Sequence, residues 1–423
     1  MEGGISMILI KTAWNIFRKN FMMNLFTILQ MTAVLVITAV MVSSVCIRYQ
    51  YYTPFKDYFS SNGIFMDWTF YANSDPSRYA FNDMMNNEDF LEEFPEAKGM
   101  LSCHSAMMYC SEDTEKLFHA WSYDDELIKR FEPELQEGRW LSITTDPRTV
   151  EVVVSENEYG WEVGDTIELA AASFPNDMPF TAKVVGKLRE GAKIPGGFFL
   201  LEGEPDFNNF YYPYTYEIEQ QPALLFSYTA LYHLDSGLAK ETERDVSQGV
   251  ISSAFLTFPD DFTEEELFAA QQKLNQYGNV MSFPMSEINE NSKKYLHREL
   301  YNLLPIIIVL FILAAVSSVS SSALSTRRRL KDYAIYYITG LQWKHCTLVN
   351  LIQSVVISAI SAVAASAILF AIPYTAYKDT FKIIWNPYLF AAMGGLVLLY
   401  FIISMMMPVI IIGRSSPKQI LTR

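Results

Sequence analysis

The chain has 423 residues, half of them hydrophobic, and a formal net charge of −15. That length allows two or three domains, and the composition is too apolar for an ordinary soluble enzyme. Four stretches of about 20 residues or more contain no Asp, Glu, Lys or Arg: 21–47, 303–324, 346–372 and 388–413. A hydrocarbon core of about 30 Å needs about 20 helical residues to cross, and one charge at a helix centre costs about 2.5–3.5 kcal/mol on insertion scales. Each stretch is therefore predicted to be a membrane-spanning helix.

Residues 1–20 carry Lys11, Arg18 and Lys19 and read as a cytoplasmic amphipathic helix leading into the first span. The apolar run that follows is about twice the length of a signal-peptide core, which is 7–15 residues. Ser43-Ser44-Val45-Cys46 fits a lipoprotein cleavage site poorly. The first span is accordingly predicted to be a retained anchor, with Cys46 a small hydrophobe.

Residues 48–302 form the largest region between spans. Within 48–300 lie 44 of the 47 acidic residues and 19 of the 32 basic ones, a net of −25, while the rest of the chain carries +10. This acidity suits attraction of cationic peptides and equally suits plain solubility. GIFMDWTFYA (63–72) reads as a strand, NNEDFLEEF (86–94) as a short helix and AKGMLSCHSAMMY (97–109) as another strand. A similar order recurs late. GVISSAFLTF (249–258) is strand-like, Thr263 and Glu266 make a capping box, and a helix follows with Leu267, Ala270, Leu274 and Tyr277 on its apolar face. NVMSF (279–283) closes the unit as a strand. Between the two units, Val/Ile alternation with glycine punctuation over 151–188 predicts a small antiparallel β-module. Residues 195–233 are crowded with Phe and Tyr and are predicted to be packed core or lid. Cys103 and Cys110 can pair only if the chain bends back between them, since a continuous strand holds them too far apart.

MSEINENSKKYLHREL, from about 285 to 302, is predicted to be a helical stalk running into the second span. After that span comes STRRRLKDYAIYYITGLQWKH (325–345), the densest basic cluster of the chain followed by an apolar-aromatic run. Spans three and four are joined by a short turn, 373–387, and residues 414–423 form a basic tail. Lysine and arginine concentrate before the first span, between the second and third, and in the tail. By the positive-inside rule those parts are cytoplasmic, with both termini, and the large domain is extracytoplasmic. The predicted class is thus an α-helical membrane protein with four transmembrane helices and an α/β (α+β) domain between the first two.

Chemistry-bearing motifs are absent from the sequence. There is no GxxxxGK[ST] phosphate-binding loop, no HExxH and no CxxC pair, and no Ser/His/Asp or paired-carboxylate context among only five histidines. No catalytic residue, metal ligand, cofactor site or nucleic-acid surface is predicted.

Taken in order, the chain resembles the FtsX-like (MacB-like) permeases of ABC transporters. The resemblance is carried by KTAWNIFRKNFMMNLFTIL at the start, the four spans with a large domain after the first, EYGWEVGDTIEL followed by VVGKL, RRRLKDYAIYYITGL, and SSPKQILTR at the end. The sequence departs from the family pattern at Tyr337, where a base is common, and at Gln353, where an acid often lies. Ser358, Ser361 and Ala365 replace the usual glycines, with small-residue spacing that still permits close helix packing. The resemblance implies a permease subunit in the cell membrane, working with a separate cytoplasmic ATPase dimer that binds the ATP, and with a second permease subunit that is either identical or a paralogue. It implies contact with membrane lipids and a peptide or accessory protein as extracytoplasmic partner. It places ATPase docking on Asp332, Tyr333, Ile335, Ile338, Gly340 and Leu341, with Arg327, Arg328, Arg329 and Lys331 as the electrostatic frame. Two functions follow: export or clearance of a peptide, lipid or lipoprotein, or transmission without transport to a cell-wall hydrolase or sensor.

Overall fold

The computed structural model describes residues 13–15, 17–19, 21–68, 91–110, 113–143, 150–171, 179–196, 204–213, 222–231, 250–276, 280–338, 343–375 and 381–415. Among these the helices are α1 (Phe21–Tyr52), α2 (Lys56–Phe59), α3 (Asp125–Arg130), α4 (Glu264–Asn275), α5 (Met285–Arg328), α6 (Leu330–Ile338), α7 (Trp343–Ala371) and α8 (Pro387–Arg414). The strands are β1 (Gly63–Trp68), β2 (Gly99–Cys110), β3 (Asp113–Tyr123), β4 (Leu135–Gly138), β5 (Val150–Val154) and β6 (Thr166–Ala171), then β7 (Phe180–Leu188), β8 (Lys193–Pro195), β9 (Tyr211–Pro213), β10 (Ala223–Ser227), β11 (Val250–Thr257) and β12 (Val280–Pro284). Two units emerge, Met1–Tyr49 with Leu296–Arg423, and Gln50–Tyr295.

In the first unit the charge-free runs fold as helices long and apolar enough to cross a membrane. A single helix, α5, covers both the predicted stalk and the second apolar run, and it continues through Pro305. Proline removes one backbone donor and crowds the preceding turn, so an intact ladder on either side is what carries the helix past it. Apolar faces of α1, α7 and α8 bury Ile28, Met31, Leu35, Ile357, Leu369, Leu389 and Met393 together. Against another face of α1, Val34 and Met41 pack with Ile307 of α5. The described turn of the N-terminal segment is helical; there Trp14 stacks on Phe17 at 5.6 Å, and Phe17 and Ala13 are buried while Trp14 faces out.

The second unit is built on one mixed sheet, in the order β12-β1-β11-β2-β3-β10-β5-β7-β4, with β6 pairing both β2 and β7. The predicted early and late strand–helix–strand units are present but do not stand apart. Their strands interleave as β12-β1-β11-β2, all antiparallel, the order of a split β-α-β pair. Both helical segments lie on one face: Leu91, Phe94, Leu267 and Leu274 pack over Ile64, Met66, Ala254 and Leu256. The capping box forms as expected, with Thr263 accepting from the Glu266 amide and the Glu266 carboxylate accepting from the Thr263 amide.

Within 151–188, β6 and β7 pair antiparallel as the expected module requires, but β5 does not. Strand β5 runs parallel to β7, β10 runs parallel to β3, and the module is simply the far half of the same sheet. Alternation along these strands marks a buried face, and that face is shared with Met108, Phe118, Leu224 and Phe226. Local spacing carries no information about which partner closes it. The described aromatic residues of 195–233 are core: Phe207, Phe210 and Tyr211 are buried, and Phe210 meets Phe255 of the sheet with ring centroids 4.6 Å apart. Cys103 and Cys110 sit on one continuous strand, β2, and both are free thiols. The positions 69–72, 86–90 and Tyr277 of the predicted elements lie outside the described residues.

Candidate functional site

The cytoplasm-assigned segment after the second span begins as the last turn of α5, makes a tight turn at Arg329, and resumes as α6. The Arg329 amide donates to Thr326 O at 3.2 Å and the Tyr333 amide donates to Arg329 O at 2.9 Å, so the turn is hydrogen-bonded on both sides. Arg327 and Arg328 are exposed, Arg329 is half-buried, and Lys331 and Asp332 are exposed. Helical spacing then divides the apolar residues. Ile335 and Ile338 point outward at 52% and 67% exposure, joined by Tyr337. Gly340 and Leu341 lie outside the described residues.

Tyr333 is the exception among the expected docking residues. It is 1% exposed and packs on Ile412 of α8, so its ring is not part of an outward-facing surface. At position 333 a helix starting at Leu330 has turned its Cβ toward the bundle, and Ala334 beside it is buried as well. The apolar run thus serves two faces, one inward through Tyr333 and Ala334, one outward through Ile335 and Ile338.

Behind Tyr333 the first unit holds a seam of polar side chains, of which the sequence pattern had marked only Gln353. Asn350 Nδ2 donates to Tyr333 Oη at 3.4 Å, and Thr326 Oγ1 donates to Asn350 Oδ1 at 3.3 Å. One turn further along α7, Ser354 Oγ lies 2.9 Å from Ser404 Oγ, to which Ser318 Oγ donates at 3.0 Å. Tyr400 Oη donates in turn to Ser318 Oγ at 2.9 Å. At the α1 side, Gln353 Nε2 donates to Asn24 Oδ1 at 3.3 Å and Asn24 Nδ2 to Phe17 O at 3.0 Å. Buried hydroxyls and amides are costly without partners, and here each finds one on a neighbouring helix. The seam lines a small polar cavity of about 10 Å³, room for about one water molecule. Its signal in the sequence was the serine run SSVSSSALST (317–326) at the end of the second apolar stretch.

In the second unit Asp124, Ser102 and His104 form a chain that superficially suggests a catalytic triad. Ser102 Oγ donates to Asp124 Oδ2 at 2.9 Å and lies 2.9 Å from His104 Nε2. The order is Asp–Ser–His, so the hydroxyl proton is committed to the carboxylate rather than to the imidazole base that nucleophile activation requires. Ser102 is also buried, and burial pushes His104 down to about 3. The trio is a structural hydrogen-bond chain. Among the described residues there is no group of His, Cys, Asp and Glu arranged to hold a metal ion.

Residues 305–417 match the family model described as FtsX-like permease C-terminal. No curated protein sequence matches the chain. Among solved structures, the periplasmic region of MacB from Actinobacillus actinomycetemcomitans aligns at 10% identity over 56% of this chain and 95% of that one, with a TM-score of 0.26. The extracellular domain of the noncanonic ABC-type transporter YknZ from Gram-positive bacteria aligns at 10% identity over 52% and 100%, with a TM-score of 0.26. A domain of a putative permease protein from Porphyromonas gingivalis aligns at 13% identity over 55% and 93%, with a TM-score of 0.23. The family match spans the end of α5, all of α6 and α7, and α8, the elements that carry the basic turn, the outward face of α6 and most of the seam. The described helices include four long and apolar enough to cross a membrane, and over residues 305–417 this membrane protein is similar to the C-terminal domain of FtsX-like permeases.

Proposed function

We propose that the chain is the permease subunit of an ABC transporter whose ATP is bound and hydrolysed by a separate cytoplasmic ATPase dimer. The observation that carries this reading is α6: a short helix inside the FtsX-like segment, with Ile335, Tyr337 and Ile338 outward beside exposed Arg327, Arg328, Lys331 and Asp332. Large apolar side chains held outward next to a basic cluster suit a protein partner better than water, because an apolar patch rimmed by charge is the usual anatomy of an interface. Under this reading the basic turn, both termini and α6 are cytoplasmic, and Gln50–Tyr295 is extracytoplasmic. Two permease subunits engage the ATPase pair, and hydrolysis moves the membrane helices and through them the outer domain. The work done outside is export or clearance of a peptide, lipid or lipoprotein.

The test is capture of the tagged full chain from native membranes, with identification of bound ATPases. An ABC ATPase is expected with the wild-type chain, and Ile335→Asp with Ile338→Asp is expected to lose it while still inserting into the membrane. Equal ATPase recovery from that variant would remove α6 as the docking helix.

A further inference from the structure

We propose that Tyr333, Asn350 and Thr326 form a positioning junction that fixes the orientation of α6 and passes its displacement into α5, α7 and α8 together. The proposal rests on the reading of α6 as the docking helix and adds to it how a push on that helix leaves it.

One side chain of α6 touches the two membrane helices that follow it and, through Asn350, the one that precedes it. The Tyr333 ring packs on Ile412 of α8. Its hydroxyl accepts from Asn350 Nδ2 of α7, and Asn350 Oδ1 accepts from Thr326 Oγ1 in the last turn of α5. Tyr333, Asn350 and Thr326 are all buried. Packing alone does not require these polar atoms. A phenylalanine at 333 and a leucine at 350 would fill much the same space and leave only the Thr326 hydroxyl of the three to satisfy. What the polar atoms add is direction, since hydrogen bonds weaken steeply off line and van der Waals contact does not. A phenylalanine ring can swivel against Ile412; a tyrosine bonded to Asn350 favours one rotation of α6 about its axis.

Asn350 is also the point where this junction meets the rest of the seam. Ser354 stands one helical turn away on the same face of α7 and is joined to Ser404 of α8. Displacement of Tyr333 thus acts on α7 at Asn350, on α5 at Thr326 and on α8 at Ile412. Both bonds of the junction are long, 3.3 and 3.4 Å, so neither alone clamps the helix and the two are expected to act as one unit.

The experiment uses the full chain in nanodiscs with whatever ATPase co-purifies, comparing wild type with Tyr333→Phe, Asn350→Leu and the double variant. Three quantities are read: ATPase captured, ATP turnover of the captured complex, and amide hydrogen exchange across residues 330–338 in the chain without ATPase. Each single variant is expected to capture as much ATPase as wild type and to melt within a few degrees of it. Each is expected to lose about fivefold in permease-dependent turnover and to exchange about fivefold faster over α6, the double variant doing no worse than the poorer single. Unchanged exchange in Tyr333→Phe, or single effects that multiply in the double variant, would overturn the junction. Loss of capture in Tyr333→Phe would also overturn it, since the hydroxyl would then serve docking itself. If wild type captures no ATPase the docking reading fails, and the exchange measurement still decides whether Tyr333 and Asn350 hold α6 as a unit.

Discussion

Arg48 Nη2 lies 2.6 Å from Glu299 Oε1, linking the last turns of α1 to α5 through a charge-assisted hydrogen bond. The Arg48 side chain is only 10% exposed, and it stands directly after the charge-free run 21–47. A guanidinium that close to apolar surroundings is tolerable because it is paired, and removing its partner leaves a nearly buried charge.

The expected outcome of Glu299→Ala is a loss of about 2 kcal/mol or more, in the range of charged hydrogen bonds. Arg48→Met with Glu299→Met should recover most of that loss, because the pair is then replaced by apolar packing rather than broken. Thermal melts of wild type, Arg48→Met, Glu299→Met and the double variant in one detergent close the cycle. Additive losses in the double variant would show that the two groups do not sense each other.

Two histidines, His104 buried and His119 half-buried, give the Gln50–Tyr295 unit an acid-sensitive stability. Burial pushes His104 down to about 3 and His119 down to about 4. His104 is stacked on Tyr228 and His119 on Trp121. Above pH 6.5 both are neutral in folded and unfolded chains and contribute nothing. Below it the unfolded chain takes up protons that the folded chain refuses, so stability falls as pH drops from 6.5 toward 4 for His119 and toward 3 for His104. The slope is at most about 1.4 kcal/mol per pH unit for each histidine. Carboxylates begin to contribute in the same window, so the decisive quantity is a difference: His119→Phe, which keeps a ring against Trp121, should show a shallower fall in Tm between pH 6.5 and 4.5. Parallel curves would exclude His119 as a source.

How much of this architecture could be read from the residues depended on the range of the interaction. The membrane helices follow from the absence of charge over about 20 residues, a local property. Helix α4 begins where Thr263 and Glu266 say it should, because capping is settled within four residues. The ten-stranded sheet was not legible, since Val150–Val154 and Phe180–Leu188 show which face is buried but not that they run parallel to one another. The inward turn of Tyr333 was hidden for a similar reason. Its burial depends on Ile412 and Asn350, 79 and 17 positions away. The seam's serines were visible as residues, but their pairing across α5, α7 and α8 is a tertiary fact.

Gly138 closes β4 with φ of +81°, where β4 meets β7. A Cβ there would press on the Val185 carbonyl oxygen and come within 2.8 Å of Gly186 Cα. Backbone strain and a clash with backbone combine, so Gly138→Ala should cost about 2 kcal/mol or more. Gly160 has a similar φ of +74° but open space around it, and Gly160→Ala should cost only about 1 kcal/mol. Unfolding of the two variants side by side separates strain from collision; equal losses would mean that β4 shifts freely at Gly138.

Ser404 carries the densest part of the seam. Its hydroxyl meets Ser318 and Ser354, and its carbonyl accepts from Ser322 Oγ at 3.3 Å. Interhelical polar contacts of this kind in membrane proteins average about 0.6 kcal/mol, and the adjoining cavity has room for about one water to take over the lost hydroxyl. Ser404→Ala should therefore lower stability by no more than about 1 kcal/mol. Ser404→Leu is expected to be far worse, because its extra volume must enter a space bounded by Ser318 and Ser354, and overpacking costs about 1–3 kcal/mol. Denaturation of both variants in the same mild detergent measures the contrast. A leucine tolerated as well as alanine would mean that α5, α7 and α8 are not closely packed at this level, and that their serines meet only in passing.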